Sequence, residues 1–406
     1  MKNLAVPQLV FALVLHIFGY YTLLRRIEPY MYQFYMMAWW SYIIFLDGVL
    51  ALRTGRHLVL NRRLPSLISV SAAFWCVFEL INLRMENWFY INVPYGSAVR
   101  FCGYLLAYGT VIPAIYLTKE ALSRLLPELR ITPVSPGGYG TYAIPLGLLC
   151  LALCLAFPLY LFGLSWVFLV FVADGYNYRK GYSSFMADIE HGSAGEVVAA
   201  ALAGMICGFL WEFWNYWSIT KWVYTVPFLE DVKLFEMPAP GYLGFALFGL
   251  ETIAFVNLLG GSPCRRRLRW AVPVLALVFS FLSFLLIDRY TVFSYTSPVA
   301  GLSFLTEGTR DALEKGGVET SHAIDPRMLT SREGRGLALM HLDGLGAANL
   351  DRLKGHGIDT IGGLAGLDER QLSSMIEEKN MRRVRIYLRA AQKYQRAHCR
   401  SRPLSG

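Results

Sequence analysis

Charged residues are scarce in this chain, and their scarcity excludes most soluble folds. Asp, Glu, Lys and Arg make up 17% of the 406 residues, whereas about 25% is usual in a soluble domain. Hydrophobic residues make up 55%, and they form several uncharged runs of the roughly 20 residues that span a bilayer as a helix. We therefore predict a multi-pass membrane protein. The net charge of +9 is attributed to loops at membrane surfaces rather than to a nucleic-acid site.

Residue patterns that hold metals are also missing. The seven cysteines show no C-x-x-C pair and no Cys/His spacing typical of zinc. The stretch DIEH at Asp188–His191 could bind a metal, but a solvated loop is the favoured interpretation. The sequence thus predicts neither a metal nor another cofactor. A small-residue cleavage site is likewise missing after the first apolar segment, which Arg25 and Arg26 follow, so this segment is expected to be a retained helix rather than a signal peptide.

Nine membrane spans are predicted from the apolar runs. They cover residues 4–24, 31–52, 66–85, 98–118, 142–158, 160–177, 195–217, 240–259 and 270–288. Only Pro158, Gly163 and aromatic residues separate the fifth span from the sixth. After Arg289 the uncharged stretch YTVFSYTSPVAGLSFL is interpreted as an interfacial or re-entrant segment, with a poor tenth span as the alternative.

The basic residues predict the orientation of these spans. Fourteen Lys and Arg residues near the span ends lie on the side of the N-terminus, including Arg62, Arg63 and those at 265–269, and six lie on the other side. Because basic residues are enriched in cytoplasmic loops, the N-terminus is expected in the cytoplasm of a bacterial-type inner membrane. Nine spans place the C-terminal tail outside the cytoplasm, while a tenth span would return it.

An ordered set of landmarks recurs in two halves of the chain. FELINLRMENWFYINVP in the first half corresponds to WEFWNYWSITKWVYTVP in the second. The paired landmarks are Asp47-Gly48 and Asp174-Gly175, Glu79 and Glu212, Asn82 and Asn215, Trp88/Tyr90 and Trp222/Tyr224, Pro94 and Pro227, and Gly103-Tyr104 and Gly241-Tyr242. Each half has four spans, an even number, so both halves share one orientation and an axis along the membrane normal would relate them.

The candidate site consists of acids within these spans. Residues three apart share a helix face, so Glu79 points with Asn82 and Glu212 points with Asn215. An acid inside a membrane is costly and normally faces the protein interior. We expect the catalytic residues to be Glu79, Glu212, Asn82, Asn215 and Glu251, and the substrate pocket to be formed by Trp75, Trp211, Trp214, Trp217, Asp47 and Asp174.

A structural interpretation of the same residues stays open. Glu and Asn on one face can simply bond neighbouring helices, at about 1 kcal/mol or less for each bond. Asp47 and Asp174 could be helix-end turns, which is the favoured interpretation for the aspartates. His16, within the first span, is expected to be packed or bonded between helices.

The stretch Trp211–Glu251 faintly resembles the lycopene cyclase domain proteins, which are small multi-pass carotenoid cyclases. The resemblance involves Glu212, Trp222, Tyr224, Pro227 and Glu251. It implies acid-catalysed chemistry on an isoprenoid or carotenoid-like substrate. The family's paired-acid motif is absent, because MPAPGYLGFALFGLE stands in its place, and the family's repeat is nearer three spans than four.

The tail, Leu342–Ile376, resembles a helix-hairpin-helix unit. Its hairpin is Gly344-Leu345-Gly346, and the basic helix RRVRIYLRAAQKY follows. Glycines allow a backbone to approach a phosphate, and helix N-termini favour anions. A phosphate or a partner is therefore expected at Gly344, Gly346, Arg382, Arg383 and Arg385. The partner could be nucleic acid or protein, and a solvated basic face or contact with anionic lipid are the alternatives.

The predicted fold class is all-α: a polytopic membrane helix bundle of about nine spans with a parallel internal repeat (4+4+1), plus a small C-terminal helix-hairpin-helix domain. The predicted domains are repeat one at 1–130, repeat two with the ninth span at 131–290, an interfacial segment and linker at 291–324, the helix-hairpin-helix domain at 325–398 and a flexible tail at 399–406.

Three functions compete at this stage. The first is an acid-catalysed enzyme that acts on a lipophilic substrate between the repeats, with tryptophan faces stabilising a carbocation. The second is a proton-coupled transporter, which the apparent lack of Gly/Pro breaks in the spans disfavours. The third is a non-catalytic platform that presents the tail domain. The expected partners are membrane lipid or a lipophilic small molecule for the bundle, and protein or nucleic acid for the tail.

Overall fold

Nine helices in the described part of the chain are long and apolar enough to cross a membrane. The computed structural model describes residues 2–226, 232–261 and 270–400. The spans are Ala5–Leu24, Tyr30–Thr54, Leu64–Met85, Ser97–Leu122, Tyr139–Ala156, Pro158–Lys180, Gly195–Trp217, Ala239–Gly261 and Ala271–Tyr290. The prediction of a multi-pass helical protein is confirmed, and the fifth and sixth spans are separate. Pro227 and the arginines at 265–267 and 269 lie outside the described residues.

Twelve α-helices and two small two-stranded sheets form the described membrane part. The helices are α1 Lys2–Leu24, α2 Phe34–Thr54, α3 Leu64–Met85, α4 Ser97–Tyr108, α5 Val111–Leu122, α6 Tyr139–Ala156, α7 Pro158–Leu161, α8 Phe168–Lys180, α9 Phe185–Glu190, α10 Gly195–Trp217, α11 Tyr242–Gly261 and α12 Ala271–Tyr290. The strands are β1 Trp88–Ile91, β2 Lys221–Tyr224, β3 Lys233–Leu234 and β4 Met237–Pro238.

Two spans are broken within the membrane, so the expectation of unbroken spans was wrong. The fourth span is interrupted between α4 and α5, where the Ser71 hydroxyl donates to the carbonyl of Tyr108 at 2.8 Å and accepts from the amide of Ile112 at 3.0 Å. The sixth span passes through a 3-10 segment at Phe162–Trp166 before α8 begins. Lipid offers no partner for freed backbone groups, so a break persists only where side chains supply one.

Glycines bring the seventh and eighth spans into backbone contact. A Cβ atom added to Gly204 of α10 would lie 2.1 Å from the carbonyl oxygen of Phe245, and one added to Gly249 of α11 would lie 2.2 Å from that of Ala200. Small residues permit such close packing between membrane helices. This contact places Phe245 and Phe248 of α11 against the ring of Trp211 in α10.

A small sheet lies at the membrane face opposite the N-terminus, which we call the strand face. Strands β1 and β2 pair antiparallel, with Trp88 opposite Tyr224 and Tyr90 opposite Trp222. The segment after α12 runs along the other edge of β1: the amide of Phe293 donates to the carbonyl of Tyr90 at 2.8 Å. The residues after Arg289 therefore form a sheet edge at the interface and not a tenth span.

The C-terminal domain has its own hydrophobic core. Its helices are α13 Glu307–Lys315, α14 Ser331–Met340, α15 Gly346–Gly355, α16 Ile361–Ala365, α17 Glu369–Ile376 and α18 Met381–Arg400. A capping box formed by Thr330 and Glu333 begins α14. The core extends back to Val299 and Leu302, so the domain begins well before the predicted boundary at residue 325.

Candidate active site between the two halves

Glu79 is a buried hydrogen-bond acceptor near the strand-face end of α3. Its Oε1 accepts from Nε1 of Trp75 at 2.7 Å, from Nε1 of Trp88 at 3.1 Å and from the hydroxyl of Tyr90 at 2.5 Å. Its Oε2 has no hydrogen-bond partner among the described residues. The Tyr108 hydroxyl donates in turn to that of Tyr90 at 3.1 Å. The result is a short hydroxyl chain that ends at a buried carboxyl group.

Glu212 has the corresponding environment at the end of α10. It is fully buried, and its Oε1 accepts from the hydroxyl of Tyr224 at 2.8 Å. As in Glu79, the second carboxyl oxygen is without a partner among the described residues. Each half of the bundle therefore holds a tyrosine hydroxyl, Tyr90 or Tyr224, on a buried glutamate.

The two asparagines bind backbone instead of orienting the carboxyl groups. The amide of Asn82 donates to the carbonyl of Trp88 at 2.8 Å. Asn215 donates to the carbonyl of Trp222 at 2.9 Å and accepts from the amide of that residue at 2.9 Å. The predicted catalytic role of Asn82 and Asn215 is therefore corrected: each fixes the strand that carries the tyrosine. The nitrogen and the oxygen of each amide thus have at least one partner, and both side chains are buried.

A cavity lies beside these groups, and residues of both halves line it. Its empty space, about 1170 Å³, includes space that is open to the surroundings. Aromatic side chains from both halves dominate its wall. They include Trp75, Trp88, Tyr90, Tyr104, Tyr108, Trp166, Trp211, Trp222, Tyr224 and Phe245.

The tyrosines, and not the glutamates, form the cavity wall. Tyr90 and Tyr224 line the cavity, whereas neither Glu79 nor Glu212 does. The prediction that the two acids face a shared cavity was therefore wrong: the cavity wall carries the phenols that bond them. Tyr90 was missed as a site residue, although the Trp-x-Tyr landmark contained it, and Tyr224 was named only in the family resemblance and not as a proton donor.

Both tyrosines remain neutral donors. The pKa of Tyr90 lies well above its usual range because burial, and then the nearby charge of Glu79, disfavour the phenolate. The pKa of Tyr224 is raised in the same way by burial and by Glu212. A neutral phenol can donate its hydrogen while it accepts another, so it can pass a proton between a carboxyl group and a bound molecule.

The cavity carries no uncompensated charge among the described residues. Its two cationic residues each pair with an acid: Nε of Arg100 lies 2.6 Å from Oδ1 of Asp288, and Nζ of Lys221 lies 2.8 Å from Oε1 of Glu236. Every nitrogen of the Arg100 guanidinium is engaged, because Nη1 also donates to two backbone carbonyls. An uncharged, apolar ligand suits such a wall.

Two of the four tryptophans predicted to form the pocket lie at the cavity. Trp75 and Trp211 line the cavity. Trp214 packs instead against Trp39, with ring centroids 4.9 Å apart. Trp217 is 54% exposed and points away from the cavity, so Trp214 and Trp217 are not wall residues. Trp214 lies three residues after Trp211 and shares its helix face, but its ring packs against Trp39 and does not line the cavity.

The two aspartates hold loops at the opposite membrane face. The Oδ1 of Asp47 accepts from the amides of Leu58 and Val59, both at 2.8 Å. The Oδ1 of Asp174 accepts from the amide of Phe185 at 2.7 Å. Asp47 and Asp174 do not line the cavity, so their assignment to the substrate pocket was wrong. The expectation of helix-end turns was also wrong, because Asp47 lies inside α2 and Asp174 inside α8. In both halves the contacted backbone amides lie eleven and twelve residues after the aspartate.

Glu251 caps the broken sixth span. Its Oε1 accepts from the amide of Leu169, in the first turn of α8, at 3.0 Å. Its Oε2 has no partner in the described part of the chain, and it does not line the cavity. An acid at a helix N-terminus satisfies free amides and favours the helix dipole. Glu251 thus stabilises the start of α8. Because it does not reach the cavity, this position does not support its predicted catalytic role.

The predicted contact residues of the tail face the membrane part of the same chain. Nη1 of Arg382 donates to the carbonyl of Met85 at 3.0 Å and to that of Thr225 at 3.4 Å. The guanidinium of Arg383 lies 3.6 Å from the ring centre of Phe293 and 4.4 Å from that of Phe89. These two arginines therefore join the C-terminal domain to the strand face.

The hairpin glycines are covered at the same interface. A Cβ atom added to Gly344 would lie 2.3 Å from Ile91, and one added to Gly346 would lie 3.1 Å from Ser294. Arg385 pairs with Glu369 at 3.0 Å within the domain. The expected phosphate, nucleic-acid or protein contact at Gly344, Gly346, Arg382 and Arg383 is therefore corrected to an intramolecular docking contact.

Comparison of the chain with protein-family models, with curated proteins and with solved structures finds no match. The chemistry of the site accordingly rests on its own geometry.

Proposed function

We propose that this protein is an intramembrane enzyme that protonates an uncharged isoprenoid chain, such as a carotenoid-like polyene, and so catalyses its isomerisation or cyclisation. The observation that carries the proposal is the pair of tyrosine hydroxyls, Tyr90 and Tyr224, each bonded to a buried glutamate on the wall of an aromatic cavity. The lack of uncompensated charge on that wall supports an apolar substrate.

The proposed step begins with Glu79 protonated. Tyr90 transfers its hydroxyl proton to a substrate double bond while it accepts the Glu79 proton, so the phenol stays neutral and the carboxylate remains behind. The faces of Trp75, Trp88 and Trp211 stabilise the carbocation. Loss of a proton from a neighbouring carbon to a Tyr–Glu pair forms a new double bond. Protons and atoms balance within the molecule, and the net reaction is an isomerisation.

Matching contacts support an internal duplication with an axis along the membrane normal. The β1–β2 register pairs Trp88 with Tyr224 and Tyr90 with Trp222, which is the register that a two-fold axis through the sheet requires of corresponding strands. Glu–Tyr bonds, asparagine contacts to the strands and aspartate contacts to the loops also occur once in each half. The two halves would then offer two similar acids to one cavity.

A proton-coupled transporter is the second candidate, and the two broken spans favour it. Broken helices line the sites of many transporters. At both breaks, however, freed backbone groups are satisfied, by Ser71 at one and by Glu251 at the other. The platform function is disfavoured, because the residues expected to hold a partner are covered by the strand face.

The test is product formation by the purified protein in nanodiscs supplied with lycopene, analysed by chromatography. Tyr90→Phe and Tyr224→Phe should each reduce turnover at least tenfold, because removing a positioned proton donor typically costs 10²–10⁴-fold. Tyr242→Phe is the matched control, since that hydroxyl bonds the carbonyl of Leu234 away from the cavity. Full turnover by both site variants, or pH-driven uptake into vesicles without a product, would reject the enzyme.

A further inference from the structure

The cavity wall includes residues from the start of the second span and from α4. On one side its wall is formed by Tyr32, Gln33 and Met36, and on the other by Val99, Gly103 and Ala107. The latter three lie four residues apart and so share one face of α4. Val99 is 51% exposed, so this face is not closed by another helix of the described chain.

A contact deeper in the membrane closes the gap from below. Nε1 of Trp40 donates to the carbonyl of Leu106 at 3.3 Å, one turn below Met36 along α2. Between this contact and the strand face, both the second span and α4 contribute residues to the cavity wall. A Cβ atom added to Gly103 would meet nothing within 4 Å, so the middle of the gap is open space.

The gap lies within one leaflet. Val99 and Ala107 are the third and eleventh residues of α4, which begins at the strand face. At 1.5 Å per residue they lie about 3–15 Å along the helix, whereas the hydrocarbon core is about 30 Å thick. The gap therefore faces the acyl chains of the leaflet on the strand-face side, and no part of it reaches the other leaflet.

We propose that this gap is a lateral portal, through which the substrate reaches the cavity from the strand-face leaflet. It follows that the substrate is a long linear isoprenoid, which is held by one end between the two halves while the rest of its chain lies through the portal in the bilayer. This inference rests on the proposed function for the identity of the ligand, and on the gap between α2 and α4 for the route.

The chemistry of the portal suits such a chain. Its rim consists of Met36, Val99 and Ala107 around the bare backbone of Gly103, and a flexible methionine adapts to ligands of varied shape. The phenols of Tyr104 and Tyr108 line the cavity behind the portal. An isoprenoid chain that enters by one end would therefore place its terminal double bond near Tyr90. Selection by the portal acts on width and not on total length.

The test uses Gly103→Phe, which would fill the portal, against Cys102→Phe, a matched control on the next residue. Cys102 is exposed, and its side chain is not part of the cavity wall. Both sites are in the same helix, and neither new side chain replaces a packed group. The protein is purified in nanodiscs with lycopene, and the retained polyene is measured by its absorbance.

We expect Gly103→Phe to retain at least fivefold less polyene than wild type, and Cys102→Phe to retain as much as wild type. Glu79→Gln should retain the polyene without converting it, which separates binding from chemistry. Equal retention by the two phenylalanine variants, or equal loss in both, would overturn the portal.

If lycopene bound to none of the proteins, the proposed substrate would be rejected. A second measurement would still test whether the portal exists. Brominated phosphatidylcholine quenches tryptophan fluorescence on contact, and Trp75, Trp88 and Trp211 line the cavity. Acyl chains that enter the portal should quench the wild type and Cys102→Phe more than Gly103→Phe. The same quenching in all three proteins would overturn the portal independently of any activity.

Discussion

Replacing each buried glutamate by leucine should have unequal effects on stability. In Glu79→Leu three donors lose their acceptor: the indoles of Trp75 and Trp88 and the hydroxyl of Tyr90. In Glu212→Leu only the hydroxyl of Tyr224 does so. An unsatisfied buried donor costs about 1–3 kcal/mol. The lower bounds are thus about 3 kcal/mol for the first variant and about 1 kcal/mol for the second, a difference of about 2 kcal/mol.

The corresponding glutamine variants should be nearly neutral. Glutamine keeps an acceptor oxygen for the same donors, and its amide group replaces an oxygen that already lacks a partner in the described structure. Glu79→Gln and Glu212→Gln should therefore lose about 1 kcal/mol or less, while turnover falls sharply because an amide is not an acid. Unfolding by sodium dodecyl sulfate, followed by tryptophan fluorescence in mixed micelles, measures all four free energies.

Two results would refute this reasoning. If Glu212→Leu were as destabilising as Glu79→Leu, the three-donor cluster around Glu79 would not exist in the folded protein. If the glutamine variants were as unstable as the leucine variants, with turnover per folded molecule unchanged, the two acids would act only in folding.

The remaining predictions concern docking, pH and topology. Arg382→Ala should weaken docking of the C-terminal domain by about 1.5–3 kcal/mol, since its charged group donates to several carbonyls. Limited proteolysis should then release the domain. Arg385→Ala removes one exposed ion pair and should change docking by about 1 kcal/mol at most. Burial, and then the charge of Arg26, lower the pKa of His341 from 6.5 to about 4. The folded domain therefore keeps this imidazole neutral, so its stability should be full above pH 6.5 and fall as the pH drops toward 4. His341 contributes a slope of at most about 1.4 kcal/mol per pH unit. His341→Gln should remove this share in a chemical-unfolding series and leave that of the neighbouring His322, whose pKa is lowered by burial. A topology reporter inserted after Arg63 should be cytoplasmic and one inserted after Gly96 exported, and the reverse pattern would contradict the orientation drawn from the basic residues.

The spans could be predicted from the sequence because each depends on a local property. An uncharged run of sufficient length has to form a helix in lipid, whatever surrounds it. The nine predicted ranges therefore agree with the nine helices to within a few residues. The breaks at Gly109–Thr110 and at Phe162–Trp166 were not predictable in this way, since they depend on Ser71 and Glu251, which lie far along the chain.

The site was predicted less completely, for a related reason. Glu79 and Glu212 stand out because an acid in an apolar run is unusual. The role of Tyr90 and Tyr224 depends on the pairing of β1 with β2, two short strands 130 residues apart, and short strands carry little pattern of their own. The sequence of the tail suggested a hairpin but could not show which surface covers it.

The most direct measurement of the central claim is the incorporation of deuterium into the product. Nanodisc-bound protein is given lycopene in D₂O, and the product is analysed by mass spectrometry. The account predicts that a product isomeric with the substrate gains one deuterium on carbon for each protonation–deprotonation cycle, and that Tyr90→Phe and Glu79→Gln greatly reduce this gain. A product without deuterium on carbon, formed at an undiminished rate by both variants, would contradict proton transfer from the Tyr–Glu pair.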